Sequence, residues 1–304
     1  MTTHPAAPPR AAPVDSPTRR IIAQFMEDRV AVLGLILFIC IAILALMAPW
    51  IAPQNPYDLS QLNIMDGALP PGEVSFGTDM TYMLGTDQQG RDMLSAILYG
   101  LRISLMVAGV SLLLAITVGT IVGVTAAYFG GRLDSFIMRV VDLQLSFPAI
   151  LIALILLALL GRGVDKVILA LVIVQWAYYA RTVRSSAIVE RRKDYVDAAR
   201  CLALPHRRIM FRHLLPNCVP PLIVVATVQI AQAIALEATL SFLGVGVPIT
   251  EPSLGLLIAN GYDYLLSGRY WISLFPGIAL VLTIIAINVV GDRLRDVLNP
   301  RLQK

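Results

Sequence analysis

The feature that most restricts this chain is a series of uninterrupted apolar runs. A helix needs roughly 20 apolar residues to cross the hydrocarbon layer of a bilayer, and runs of that order recur at about 30–51, 101–128, 137–160, 164–180, 217–245 and 272–291. In lipid every backbone polar group must be paired within its own segment, so such runs fold as helices, whereas a membrane barrel would show short alternating segments. The expected fold is an all-α integral membrane protein with six transmembrane helices. Composition agrees: 57% of the 304 residues are hydrophobic and 14% are charged, more apolar surface than a soluble core of this length buries. The excess of bases over acids, 24 to 20, is too small to indicate a nucleic-acid partner. Cys40, Cys201 and Cys218 have neither metal-ligand spacing nor evident disulfide partners.

The positions of the charges set the topology. The opening stretch MTTHPAAPPRAAPVDSPTRR is rich in proline and alanine and poor in large apolar residues, so residues 1–29 are expected to form a disordered cytoplasmic tail. Residues 30–52 follow as a first transmembrane helix, too long for a signal-peptide core and without a clear A-x-A cleavage site. Residues 53–95 carry Pro53, Pro56, Pro70 and Pro71, and the acids Asp58, Asp66, Glu73, Asp79, Asp87 and Asp92 against the single base Arg91, as suits an extracytoplasmic segment. Residues 96–304 hold the other five helices, interrupted by a loop at 181–216 that contains Arg181, Arg184, Arg191, Arg192, Lys193, Arg200, Arg207, Arg208 and Arg212. Cytoplasmic loops retain basic residues in excess, so this loop is expected inside, and six crossings then place both termini inside. Arg293, Arg295, Arg301 and Lys304 near the C-terminus agree.

The basic loop contains YVDAARCLALPHRRIMFRHLLPN, residues 195–217. Read as helix, Tyr195, Val196, Ala199, Leu202 and Ala203 share a face, while Asp194, Asp197 and Arg200 lie away from it. Pro205 is suited to the first turn of a second short helix reaching about Leu215, which Pro216 would end before the fifth crossing. Two readings are open. The loop could rest on anionic headgroups, each base contributing about 1 kcal/mol. Alternatively, the small residues Ala198, Ala199 and Ala203 could let its backbone seat closely in a protein socket, since helices that lie on membranes usually present large apolar groups.

Those residues resemble the cytoplasmic-loop signature E-A-A-x-x-x-G followed by L-P in the membrane permease subunits of binding-protein-dependent ABC importers. Asp197, Ala198, Ala199, Ala203, Leu215 and Pro216 occupy its places, with Asp197 for the glutamate and Ala203 for the glycine. LGTDQQGRDMLSAILYGLRISL (84–105), YFGGRLDSFIMRVVD (128–142), EATLSFLGVGV (237–247) and GDRLRDVLNPRL (291–302) narrow the resemblance to the second, DppC/OppC-like permease of peptide and nickel importers. Leu254 and Asn299 depart from the tryptophan and aspartate common there. The resemblance implies an ABC importer type I permease fold in a bacterial plasma membrane, whose coupling helix sits in a cleft of a separate ATPase. ATP and Mg would be bound by that ATPase, a homologous permease would complete a heterodimer, and an extracytoplasmic substrate-binding protein would deliver cargo, peptides first among the candidates.

Other polar residues invite local readings. Thr86 or Asp87 could cap the second crossing, and Asp87 with Arg91 has i, i+4 spacing for an ion pair; contact with an external partner is the alternative. Arg139 and Asp142 are spaced to pair, and Pro148 should kink the third crossing. Glu237 is an acid in an apolar run, where such residues bond a neighbouring helix or line a pathway; Gln229 and Gln232, one turn apart, would extend it as a polar stripe. A self-sufficient secondary transporter or channel with Glu237 as its ion site is the rival function. The sequence lacks G-x-x-x-x-G-K-[ST], so it offers no phosphate loop for ATP, and no nucleophile or metal constellation indicates catalysis.

Overall fold

The computed structural model describes residues 17–248 and 250–298. Its helices are α1 (Pro17–Met26), α2 (Arg29–Leu46), α3 (Ala48–Ile51), α4 (Met93–Phe129), α5 (Gly131–Ser146), α6 (Ala149–Leu160), α7 (Val164–Glu190), α8 (Asp194–Cys201), α9 (His206–Arg208), α10 (Leu215–Phe242), α11 (Leu254–Tyr262) and α12 (Trp271–Leu298). Among the described residues the only β-pairing consists of two isolated bridges, Val74 with Thr81 and Thr86 with Asp92.

The N-terminal boundary differs from the expected tail. Residues 17–26 are helical, because α1 lies against α2 and α12 and the Arg293 guanidinium donates to the Gln24 carbonyl. The expected disorder of residues 1–16 falls outside the described residues. Asp28 then starts α2, accepting from the amides of Val30 at 2.9 Å and Ala31 at 3.3 Å. Its other carboxylate oxygen is 3.8 Å from the Arg293 guanidinium, which ties α2 to α12.

Among the described residues, five helical stretches are long and apolar enough to span a bilayer: Arg29–Leu46, Met93–Phe129, Val164–Glu190, His206–Phe242 and Trp271–Leu298. The third expected crossing is instead a bent pair, α5 and α6, meeting at 91°. Pro148 is the cause. It lacks an N–H and forces the preceding residue out of helical geometry, and Phe147 is extended at φ −93°, ψ 143°. The fifth crossing also differs: Pro216 does not end a short helix. A π-helical turn at Ile209–Leu214 joins α9 to α10, and Pro216 falls in the first turn of α10, so one helical path runs from His206 to Phe242.

The bundle is organised around α4 against α7. Ala115, Gly119, Gly123 and Ala127 repeat at four-residue intervals along one buried face of α4. A Cβ on Gly119 would stand 2.4 Å from the Trp176 carbonyl oxygen, and one on Gly123 would stand 2.4 Å from that of Ala180. The two backbones are therefore in direct contact, the geometry that small-xxx-small repeats permit.

At the end remote from the basic loop, Asp66 gathers residues 66–82. It is fully buried and accepts from the Ser75 hydroxyl (2.6 Å), the Phe76 amide (2.8 Å) and the Tyr82 hydroxyl (3.0 Å). Burial pushes its pKa up, but these three donors outweigh burial and hold it below the ordinary carboxylate value. Trp271 at the start of α12 donates to the Thr86 carbonyl at 3.1 Å, fastening the segment to the bundle.

Gly119→Leu and Gly123→Leu are each expected to destabilise the detergent-solubilised protein by about 3 kcal/mol or more, because the obstructing atoms are backbone. Gly109→Leu, where an added Cβ meets nothing within 4 Å, should leave the melting temperature near wild type. Equal melting shifts in all three would show that the contact does not control packing. Because the folded pKa of Asp66 is depressed, its stabilisation is complete above the unfolded carboxylate pKa of about 3.9 and is lost as pH falls through the lower folded value. Asp66→Asn should therefore weaken amide-exchange protection across residues 66–82 and flatten its dependence on acid pH.

Candidate coupling surface and groove

The basic loop is built as a small knob rooted in the bundle. Asp194 and Asp197 lie in the first turn of α8, where acids suit the helix dipole. Val196 and Ala199 are buried in a cluster with Val124, Ala127 and Tyr128 of α4, Tyr179, Val183 and Ala187 of α7, and Ile209, Met210 and Leu214 of the π turn. The opposite side presents Asp197, Ala198, Cys201, Leu202 and Ala203 to the surroundings, with Leu202 74% exposed. Asp197 pairs with Arg200 at 3.0 Å, and the Arg200 guanidinium lies over the Tyr128 ring.

The expected single face of Tyr195, Val196, Ala199, Leu202 and Ala203 is thus divided. Helical spacing holds for Val196 and Ala199, but α8 ends at Cys201 and the next residues leave its register. Ala203 is left-handed at φ +51°. Its amide donates to the Arg200 carbonyl at 2.9 Å, and the Leu204 amide donates to the Ala199 carbonyl at 3.2 Å. Those two bonds form a Schellman motif, with Leu204 packing back on the cluster around Ala199. The signature position that Ala203 fills is therefore a helix-terminating position, and its preference for glycine is conformational. Leu215 is half-buried and Pro216 exposed at the start of α10.

Arginines and tyrosines clamp this knob to the helices. Arg191 donates to the carbonyls of Ala127 (2.7 Å) and Tyr128 (2.9 Å), capping the end of α4. The Tyr128 hydroxyl bonds to His206 Nδ1 at 2.6 Å. Tyr195 donates to Glu190 at 2.8 Å and accepts from Asn217 at 3.1 Å; burial and the Glu190 bond push its hydroxyl pKa up to about 12, so it stays neutral. Arg184 makes two 2.6 Å bonds to Asp134, holding α5 on α7. The expected Arg139–Asp142 pair does not form: Asp142 bonds Arg181 of α7 instead, because α5 packs its Val141 side against α7.

A groove runs along α7 and α10 away from this knob. Its wider part, about 710 Å³, is lined among others by Glu190, Asn217, Pro220, Pro221, Val224 and Arg295. A middle part shares Thr182, Val224, Val225 and Arg295 with it and continues to Tyr178 and Gln229. A far recess of about 390 Å³ adds Gln175, Gln232 and Thr239. Gln229 is buried and Gln232 exposed, and both border the recess.

Glu237 does not extend that stripe. It is fully buried, accepting from the hydroxyls of Ser104 on α4 and Ser241 on α10, each at 2.8 Å. Around it the backbones are crowded: a Cβ on Gly255 would lie 2.1 Å from the Ala238 carbonyl oxygen. Glu237 is therefore enclosed within this chain, bonded to both helices it joins. At the other end of α4, Asp92 caps the helix by accepting from the Ser95 amide at 2.8 Å, in place of Thr86 or Asp87. Asp87 uses its carboxylate to accept from the amides of Gln89 (2.8 Å) and Arg91 (3.0 Å), so a turn replaces the expected side-chain ion pair. No cluster of three or more His, Cys, Asp or Glu able to hold a metal occurs among the described residues.

Comparison with known proteins decides the family. The family described as binding-protein-dependent transport system inner membrane component matches residues 115–304, and the N-terminal transmembrane domain of oligopeptide transport permease C matches residues 16–71. The chain belongs to the first family. It is a permease of a binding-protein-dependent ABC transport system and a multi-pass protein of the inner membrane. It is 41% identical to a putative peptide transport system permease of Brucella abortus over 95% of this chain and 93% of that one. It is 39% identical to the dipeptide transport system permease DppC of Escherichia coli K12 over 97% of each chain, and 35% identical to the di/tripeptide permease DppC of Pseudomonas aeruginosa over 100% and 98%. A chain of an inward-facing MetNI methionine ABC transporter has the same fold, with a TM-score of 0.55 at 21% identity, over 68% of this chain and 98% of that one.

The inward packing of Ala199 and the terminating role of Ala203 separate in mutants. Ala203→Gly should relieve the left-handed strain and stabilise the loop by about 0.5–1 kcal/mol, read as slower amide exchange at Leu204. Ala199→Trp should instead unseat α8 and raise exchange throughout 194–204. Unchanged exchange in both variants would contradict this assignment.

Proposed function

We propose that this permease is one half of the translocation pathway of an ATP-driven importer of peptides. A homologous permease supplies the other half, and a separate ABC ATPase binds ATP with Mg and drives the cycle. The observation that carries the reading is the two-sided knob. Its exposed side, Ala198 with Leu202, offers small and apolar groups to a partner, while Val196 and Ala199 on the reverse are continuous with α4, α7 and the π turn. A force on the exposed side is thereby delivered to the helices that border the groove. The basic loop and both termini lie in the cytoplasm, and the segment 53–95 faces a substrate-binding protein outside. That placement follows from the excess of arginines in the loop and of acids in the segment. Peptide cargo is supported by the names of the relatives and by a groove whose far recess has neutral amides and hydroxyls among apolar residues.

Gln229 and Gln232 are assigned to the pathway wall and Glu237 to the brace behind it. In the cycle proposed, ATP binding closes the ATPase domains, the two coupling knobs follow them, and the permeases turn from inward to outward facing; hydrolysis resets the arrangement.

Ala198→Trp and Leu202→Asp should abolish co-purification of the ATPase, by more than tenfold, while leaving the amount of folded permease in the membrane unchanged. Normal capture by both variants would defeat the coupling assignment. In proteoliposomes, the full complex should take up peptide only with ATP. Uptake by this chain alone on an ion gradient would replace the proposal with a secondary transporter.

A further inference from the structure

Gln175, which helps to line the far recess of the groove, has a buried side-chain acceptor without a donor. Gln175 of α7 is 2% exposed, and its side-chain N–H donates to the Gln229 carbonyl of α10 at 3.1 Å. A carbonyl can only accept, so that bond fixes which end of the Gln175 amide is nitrogen and leaves Oε1 pointing elsewhere. Oε1 has no hydrogen-bond partner. Leaving a buried carbonyl without a donor costs roughly 1–3 kcal/mol, a cost that turning the carbonyl out of the wall toward a ligand N–H in the recess would remove.

The surroundings define what that ligand can be. The recess contains Gln175, Tyr178, Gln229, Gln232 and Thr239 as its polar side chains, and no acid or base. It therefore cannot select a charged group by ion pairing. Amides and hydroxyls alternate donors with acceptors, which matches a neutral group that itself presents both, spaced a few bonds apart. Ala149 and Ala235 leave room, and Ile150, Val174 and Leu236 supply apolar contact. At about 390 Å³ the recess falls within the roughly 300–1,000 Å³ of small-ligand sites.

We propose that this recess is a resting site for the peptide backbone during passage, with a cargo amide N–H donated to Gln175 Oε1 and Gln232 on the exposed rim contacting the next peptide unit. The inference rests on the peptide reading above and adds that the membrane subunit itself senses the amide, independently of any selection by the delivering protein. Side chains of the cargo would face the open groove, so passage would be indifferent to their identity while requiring an unsubstituted backbone nitrogen.

The test uses the complete importer in proteoliposomes, with trialanine and its analogue methylated at both peptide nitrogens, each supplied on saturating loaded binding protein so that delivery affinity does not enter. One hydrogen bond is worth about 1 kcal/mol, so ATP-driven uptake of trialanine should exceed that of the analogue about fivefold. Gln175→Leu should bring the ratio to about one by slowing trialanine. Gln175→Asn keeps the amide but withdraws it by one methylene, and should also collapse the ratio, which guards against misfolding of the leucine variant. An unaltered preference in both variants, or no preference in wild type, overturns the inference while leaving the peptide importer standing. Loss of the partner permease from complexes of both variants overturns it too, since Oε1 would then serve the subunit interface. Failure of the wild-type complex to take up either peptide removes the peptide reading and the site with it.

Discussion

The contact on which the rest of this permease depends is the meeting of two backbones at Gly119 and Gly123. Lipid tails are as apolar as leucine, so helices in a bilayer gain little from hiding apolar side chains from one another, and association relies on close packing. With no side chain at either glycine, α4 reaches the carbonyls of Trp176 and Ala180 on α7. That approach fixes Tyr179, Val183 and Ala187 beside Val124 and Ala127, and so forms the pit that receives Val196 and Ala199. It also brings the end of α4 within reach of Arg191, whose guanidinium takes two carbonyls that the helix cannot pair itself. The knob is thus a consequence of the helix pair, not an independent appendage.

Two buried carboxylates do the corresponding work away from the knob. Asp66 collects three donors from a segment too short of apolar residues to fold by burial alone, and Glu237 collects hydroxyls from α4 and α10. In each case an acid stands where desolvation is expensive, and each has donors on both oxygens. For Glu237 this accounts for an acid in an apolar run without requiring it to meet cargo or an ion.

The membrane-spanning character and the break at Pro148 were legible because each depends on local chemistry: apolar length and a missing N–H. What sequence reading mistook depended on conformation or on partners distant in the chain. Pro216 looks like a helix stop, yet a π turn before it keeps the chain helical, and no side-chain pattern announces that turn. Ala203 looks like a small contact residue, and its φ of +51° adds a role that residue type does not show, that of a helix terminator. Asp142 has a base three residues away at Arg139 but bonds Arg181, since the face of α5 is chosen by packing on α7. The GTIVG stretch at 119–123 did carry a readable signal, the small-xxx-small spacing, as did the alanines four residues to either side. Gln175 carried none: its significance lies in a bond to a main-chain carbonyl on another helix.

Under the proposed coupling role, a push on α8 has a route to the groove that leaves the bundle undisturbed. α4 and α7 touch through their main chains, so they resist relative movement and carry displacement as a unit. α10 is different. The helical path from His206 through α10 to Gln229 contains the π turn and then Pro216, Pro220 and Pro221, positions where the regular backbone ladder is altered or lacks a donor. Bending is least costly there, close to the widest part of the groove, which Pro220 and Pro221 help to line. A stiff pair beside a helix with its compliance concentrated near one end can change the width of the groove at the knob while holding the recess of Gln175 and Gln229 in register. The proposed transport role uses that asymmetry: an entrance that moves and a contact with cargo that does not.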